Sequence, residues 1–168
     1  MFSGKSEELV RRLRRAIIAR QQVQVFKPGA DTRSSEELVT TRDNRHIDAI
    51  SVAGSRELLA RLDHTVDVVG IDEAQFFDLD LALAVNELAD RGLRVIVAGL
   101  DMDYRRQPFG PMPAILTMAE YVDKMHAVCV QCGEPAQYSQ RIAGGKEQVL
   151  VGDTEAYEAR CRACYDEG

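Results

Sequence analysis

Two short runs carry the residue types that phosphoryl chemistry needs. Ser3-Gly4-Lys5-Ser6 matches the second half of the phosphate-binding pattern G-x-x-x-x-G-K-[ST]. In that pattern main-chain amides wrap the phosphates, the lysine neutralises them and the hydroxyl ligates Mg²⁺. Gly4 would let the backbone approach a phosphate, Lys5 would sit on the β/γ oxygens and Ser6 would hold the metal. The second run is Val68-Val-Gly-Ile-Asp72-Glu73. Four buried-type positions followed by acids put a carboxylate at the carboxyl end of a sheet strand, where open α/β folds bind ligands. Asp72 would hold the Mg²⁺, directly or through water. Glu73, one step on, would point elsewhere and accept a proton from an attacking hydroxyl or water. An ordinary helix start and a strand end with two solvated acids have the same local sequences. The two runs gain meaning from occurring together.

The four cysteines form a second constellation. Cys129-x-x-Cys132 and Cys161-x-x-Cys164 are two knuckles separated by 28 residues. Each offers two thiolates within reach of one ion, and together they complete a closed tetrahedral site for structural Zn²⁺. The alternatives are a disulfide pair, disfavoured where thiols stay reduced, and a nucleic-acid-binding zinc ribbon. Against the ribbon, only Arg141, Lys146, Arg160 and Arg162 are basic between residues 129 and 164. The loop between the knuckles holds Tyr138, Ser139, Gly144-Gly145, Val149, Val151, Gly152 and Tyr157, and zinc would make it a hinged flap over a substrate. Phe76, Phe77, Tyr104, Phe109 and Tyr157 could stack on a base, although filling a core is the commoner use of such side chains.

These residues need a frame. Residues 6–20 read as an amphipathic helix with Leu9, Val10, Leu13, Ala16 and Ile17 on one face and arginines on the other. Residues 22–26 read as a strand ended by Lys27-Pro28-Gly29, and residues 31–46 as a polar loop without a clean period. Ser55 is expected to cap a short helix through Leu62, and Asp78 or Asp80 the next, whose apolar face is Leu81, Val85 and Leu88. Residues 66–71 and 93–99 are apolar runs of the kind buried in parallel sheets, each ending in acids. Residues 114–122 look helical. This alternation implies an α/β fold with an open parallel sheet. From Cys129 the texture changes to alternating segments, 136–142 and 148–151, flanking a Gly-Gly turn. The boundary therefore falls near residue 126, giving a nucleotide-binding unit (1–126) and a small zinc-binding unit (127–168).

Composition sets outer limits. A chain of 168 residues with 45% hydrophobic content suffices for one packed core, or a modest domain with an appendage. No apolar run approaches the roughly 20 residues of a membrane-spanning helix, and the start lacks a secretory signal, so a cytoplasmic protein without a membrane partner is expected. A net charge of −6 argues against coating nucleic-acid polymers. Residues 1–20 carry six bases against two acids, whereas residues 63–103 carry ten acids against two bases. Such a division suits a site for a phosphate–metal complex.

Taken in order, M-F-S-G-K-S-E-E-L at 1–9, D-T-R at 31–33, G-I-D-E-A-Q-F-F at 70–77, G-L-D at 99–101, P-F-G at 108–110 and the two knuckles resemble the type II thymidine kinases, the zinc-containing class with a P-loop fold. The resemblance implies transfer of the ATP γ-phosphoryl group to the 5′-hydroxyl of thymidine or deoxyuridine. It implies Ser3, Gly4, Lys5 and Ser6 as the phosphate loop, Asp72 as the metal-associated acid, Glu73 as general base, and Asp72 to Gln75, including Ala74, as nucleotide site. Met1, Leu100, Tyr104 and Phe109 match positions around the nucleoside, with Tyr104 in place of a more usual Phe. Ser139 and the stretch Val149, Val151 and Gly152 lie on the family's lasso loop, Tyr157 packs there, and Asp31 and Arg33 match a polar pair near the phosphates. ATP, Mg²⁺ and structural Zn²⁺ are implied, as are a homotetramer and dTTP as feedback inhibitor. Cys164 stands where some members have His. The family also begins with a strand and the loop's first Gly, and neither precedes Met1. The expectation is that the sequence starts at an internal Met of a longer working protein. An inactive nucleoside-binding protein and a P-loop ATPase are the alternative readings.

Overall fold

The computed structural model describes residues 1–29, 38–40, 46–143 and 156–166. Four parallel strands form its centre: β1 (Val23–Pro28), β4 (Ile50–Val52), β5 (Val68–Ile71) and β6 (Arg94–Val97), in the order β4-β1-β5-β6. Register runs Val23 to Val68 and Phe26 to Ile71 between β1 and β5, and Val68 to Arg94 between β5 and β6. The side-chain period of two then divides the core. Val25 and Val68 face one side, where α1 (Lys5–Ile18) lays down Leu9, Val10, Leu13 and Ala16. Phe26, Val69 and Ile71 face the other, against Leu58 of α2 (Ser55–Arg61), Leu81 and Leu88 of α3 (Leu81–Asp90), and Ile115 of α4 (Met112–Met118). β5 is buried at all four residues, which explains its unbroken apolar run. Gly70 lets α1 approach closely, because a methyl there would lie 2.9 Å from Leu13 Cδ1.

Several local expectations are corrected. β1 runs on through Pro28 rather than ending at Phe26. Phe26 accepts the Asp72 amide on the β5 side, Pro28 has the same parity, and β5 has ended by then. The missing N–H therefore breaks no ladder bond. Within the span read as a polar loop lies β2 (Leu38–Thr40), which pairs antiparallel with β3 (His46–Asp48) starting at the last residue of that span. Ser55 is the first residue of α2, not its cap: its amide and hydroxyl both donate to the Asp78 carboxylate, at 2.7 and 2.6 Å. Asp78 thus serves α2 from 23 residues away, and α3 starts after Asp80 without a side-chain cap bond. α4 begins two residues earlier than the reading and ends at Met118, where Ala119 turns extended. Pro113 lies in its first turn, where a missing amide costs nothing.

After residue 126 the strands are short. β7 (Ala127–Val128) pairs antiparallel with β8 (Pro135–Ala136) around the first cysteine knuckle. β9 (Tyr138–Arg141) pairs antiparallel with β10 (Tyr157–Arg160), so residues 136–142 do contain a strand, and its partner is β10. Gly144-Gly145 and the 148–151 segment lie outside the described residues. Among the described residues no helix is long and apolar enough to cross a membrane.

Candidate active site and cysteine cluster

The site is built at the carboxyl ends of β1 and β5, where α1 begins. Gly4 adopts a left-handed conformation (φ 76°) at the start of α1, and its carbonyl accepts the Glu8 amide at 2.9 Å. No side chain caps this helix, so its first amides and the positive end of its dipole open toward the strand ends. Lys5 and Ser6 stand in that first turn. The Ser6 hydroxyl faces the Asp72 carboxylate across the gap between helix and sheet, near enough to favour its ionised form.

Asp72 is buried, its main chain fixed by its amide's bond to the Phe26 carbonyl. Burial, then the neighbouring Glu73 charge, push its carboxyl up to about 6. The Glu73 amide (2.9 Å to Oδ1), the Ser6 hydroxyl and the Lys5 ammonium pull it back. Such a group is costly to ionise alone and is relieved by a cation. Glu73 sits at φ 49°, ψ 41°, a left-handed geometry uncommon outside glycine. That turn starts a 3₁₀ segment, Ala74–Phe76.

Gln75 holds this turn in place. Its Nε2 donates to the Glu73 carboxylate, and its Oε1 accepts the Leu100 amide at 2.9 Å. A methyl on Gly110 would fall 2.3 Å from the Gln75 carbonyl, so the segment after Phe109 presses directly on it. Phe109 meets Phe76 edge to face, with centroids 5.6 Å apart. Ala74 is fully buried and gives its amide to Ala98, while Phe77 belongs to the core.

The C-terminal strands close over the other side. The Met1 main-chain nitrogen lies 2.8 Å from Ser139 Oγ, and Phe2 packs on the cysteine cluster. The Arg141 guanidinium lies 3.7 Å from the Tyr104 ring centroid and donates to the Tyr157 hydroxyl at 2.6 Å. Met1 and Ser139 thus meet directly, and Tyr104 and Tyr157 meet through Arg141. Asp31, Arg33, Val149, Val151 and Gly152 lie outside the described residues. The sequence reading did not single out Arg141, yet the period of two along β9 places it on the same face as Ser139.

The four cysteine sulfurs lie within 4.8 Å of one another, and Cys132 Sγ is 3.6 Å from Cys161 Sγ. A zinc–thiolate tetrahedron with bonds of about 2.3 Å has edges of about 3.8 Å, whereas a disulfide needs about 2 Å. All four are free thiols. Burial raises the Cys129 thiol, but amides of Cys161, Cys132 and Gln131 more than offset this and bring it down to about 6. Donor set, spacing and local amides all fit a thiophilic divalent ion with no open position.

Comparison with known proteins places the chain among relatives of one kind. A family profile described as thymidine kinase matches residues 1–165. A thymidine kinase of Porphyromonas gingivalis is 54% identical over 165 residues, covering 98% of this chain and 80% of its own length. One from Bdellovibrio bacteriovorus is 56% identical over 162 residues (96% and 79%), and one from Bacteroides fragilis 52% identical over 165 residues (98% and 82%).

Proposed function

This chain belongs to the thymidine kinase family, and from that premise we propose that it transfers the ATP γ-phosphoryl group to the 5′-hydroxyl of thymidine, giving dTMP. The observation that carries the reading is the meeting of Ser6, Lys5, Asp72 and Glu73 at one helix start. Phosphoryl transfer asks for positioning and charge neutralisation more than for covalent chemistry. The first amides of α1 and the Lys5 ammonium would take the triphosphate oxygens. Ser6 and Asp72 would hold Mg²⁺, which when bound supplies the charge that neutralises the β/γ oxygens. Glu73, set in a left-handed turn and steadied by Gln75, would accept the 5′-hydroxyl proton, a step worth about 10²–10⁴ in rate.

On the nucleoside side, Phe109, Leu100, Tyr104, Ser139, Tyr157 and Met1 would surround the sugar and base, with deoxyuridine as a second acceptor. Asp31, Arg33, Val149, Val151 and Gly152 belong to the same reading on the strength of the resemblance alone. Cys129, Cys132, Cys161 and Cys164 would hold structural Zn²⁺, supported by their donor geometry. Division into a nucleotide unit (1–126) and a zinc unit (127–168), a homotetramer, dTTP feedback and a cytoplasmic setting complete the proposal. A reduced thiol cluster suits that setting.

The test is an assay of dTMP formation from ATP and thymidine, with each substrate omitted in turn. Product requiring both supports the reading. Steady ATP hydrolysis without nucleoside would favour a P-loop ATPase, and nucleoside binding without ATP binding an inactive binding protein.

A further inference from the structure

The loop from Asp101 to Phe109 is rigid within itself. The buried Asp103 carboxylate accepts the amides of Arg105 and Gln107 at 2.9 and 3.0 Å, and Met102 bridges Pro108. Such a loop still needs something outside it to set where its tip stands. That something is Tyr165, the residue after the last cysteine. Its hydroxyl donates to the Tyr104 carbonyl. The Arg106 guanidinium lies 4.7 Å from the Tyr165 ring centroid and 5.5 Å from that of Tyr138, and the two tyrosine rings are 5.4 Å apart. Tyr165 is itself held at both ends. Cys164 on one side belongs to the metal-type cluster. Asp166 on the other exchanges two 2.9 Å hydrogen bonds with the Gln140 side chain of β9.

We propose that Tyr165, clasped with Arg106, is a positioning residue for the nucleoside pocket. It fixes the height of Tyr104 and so transmits the geometry of the cysteine module to the base, without touching substrate itself. This rests on the reading that Tyr104 faces the nucleoside. Three properties make the assignment specific. The bond reaches main chain, so it locates the Tyr104 backbone rather than one rotamer. Arg106 is planar and stacks, which a Lys would not do. The phosphate side of the site lies on α1 and β5 and shares none of these contacts.

The chain, with its zinc content measured, is compared with Tyr165→Phe and Arg106→Lys. Tyr165→Phe keeps the ring and removes one hydrogen bond, which predicts an increase of about fivefold in KM for thymidine. The kcat and the KM for ATP should stay within about twofold, a window narrower than the loss of one such bond. Arg106→Lys should shift the same constant in the same direction. Independently of turnover, amide exchange across residues 102–108 should accelerate in both variants while that of α1 stays unchanged. Thymidine and ATP constants that move together, or unchanged exchange in the loop with zinc retained, would overturn the proposal. A wild-type chain that forms no dTMP would instead remove the kinase reading, and the exchange experiment alone would then decide the clasp.

Discussion

The sheet half and the cysteine half of this molecule are ordered by different forces. Around β1 and β5 two apolar clusters pack against opposite faces, with Phe26, Leu13, Leu58, Ile71, Leu81 and Leu88 completely buried. Burial of that kind stabilises by about 1.5–3 kcal/mol per large side chain. Among the described residues of 127–166 the apolar cluster is Ala127, Cys129, Ala136, Ala159 and Cys161, with Tyr138, Ala156 and Tyr157 buried beside it, and the strands are two to four residues long. A core so small cannot offset the entropy of ordering such a segment. What it has instead is a four-thiol cluster and stacked guanidinium and tyrosine side chains, including Arg162 over Tyr138 at 5.3 Å. The lesson is that the acids proposed for catalysis stand on the half ordered by burial. The tyrosines proposed to face the nucleoside lean on the half that carries the four-thiol cluster.

The sharpest way to break this comparison is to remove the ligation. Structural zinc contributes about 10–16 kcal/mol in small zinc-finger peptides. Chelation, or Cys161→Ser, should therefore unfold residues 127–166 while the sheet persists. Hydrogen exchange should show protection lost in β9 and β10 and kept in β5, with KM for thymidine raised. An unchanged KM after complete metal removal would detach the module from the site.

Removing burial should do the reverse. Leu13→Ala leaves a cavity between α1 and β5 and should cost about 2–5 kcal/mol in denaturant unfolding. Zinc binding by the cysteines should survive. Loss of metal in step with the sheet would mean that the halves are not separable in this sense.

The smallest effect concerns the cost of the site within the sheet half. The Asp72 carboxyl, at about 6, stands above its ordinary 3.8 because of burial and Glu73. The folded chain therefore binds a proton that the unfolded chain has released between those values. Metal-free stability should fall as pH rises through that window. Asp72→Asn should abolish this slope and stabilise the metal-free chain at pH 7 by on the order of 1–3 kcal/mol. Thermal melts from pH 4 to 7 check this, and parallel curves for the two proteins would contradict it.

The same contrast decides what could be read from sequence. β5 was legible because a strand buried on both faces must be apolar at every position, and Asp72 and Glu73 were legible as the residues that follow it. Spacing alone announced the cysteines. β2 and β3 were not legible, since three-residue strands in a polar context leave no period. Nor was the Ser55–Asp78 bond, whose partners are 23 residues apart and which replaces the local cap that each would form alone. Arg141, Arg106 and Tyr165 escaped for the same reason. A guanidinium that stacks on a ring 37 positions away, as Arg141 does on Tyr104, has no neighbour in sequence to mark it.

The central claim is that Glu73 accepts the proton of the attacking hydroxyl beside a phosphate site made by Lys5, Ser6 and Asp72. The direct measurement is Glu73→Gln, with thymidine affinity taken by equilibrium binding and turnover by dTMP release. Thymidine affinity should hold while kcat falls by about 10²–10⁴. Turnover within about threefold of wild type, too little for loss of a general base, would contradict it.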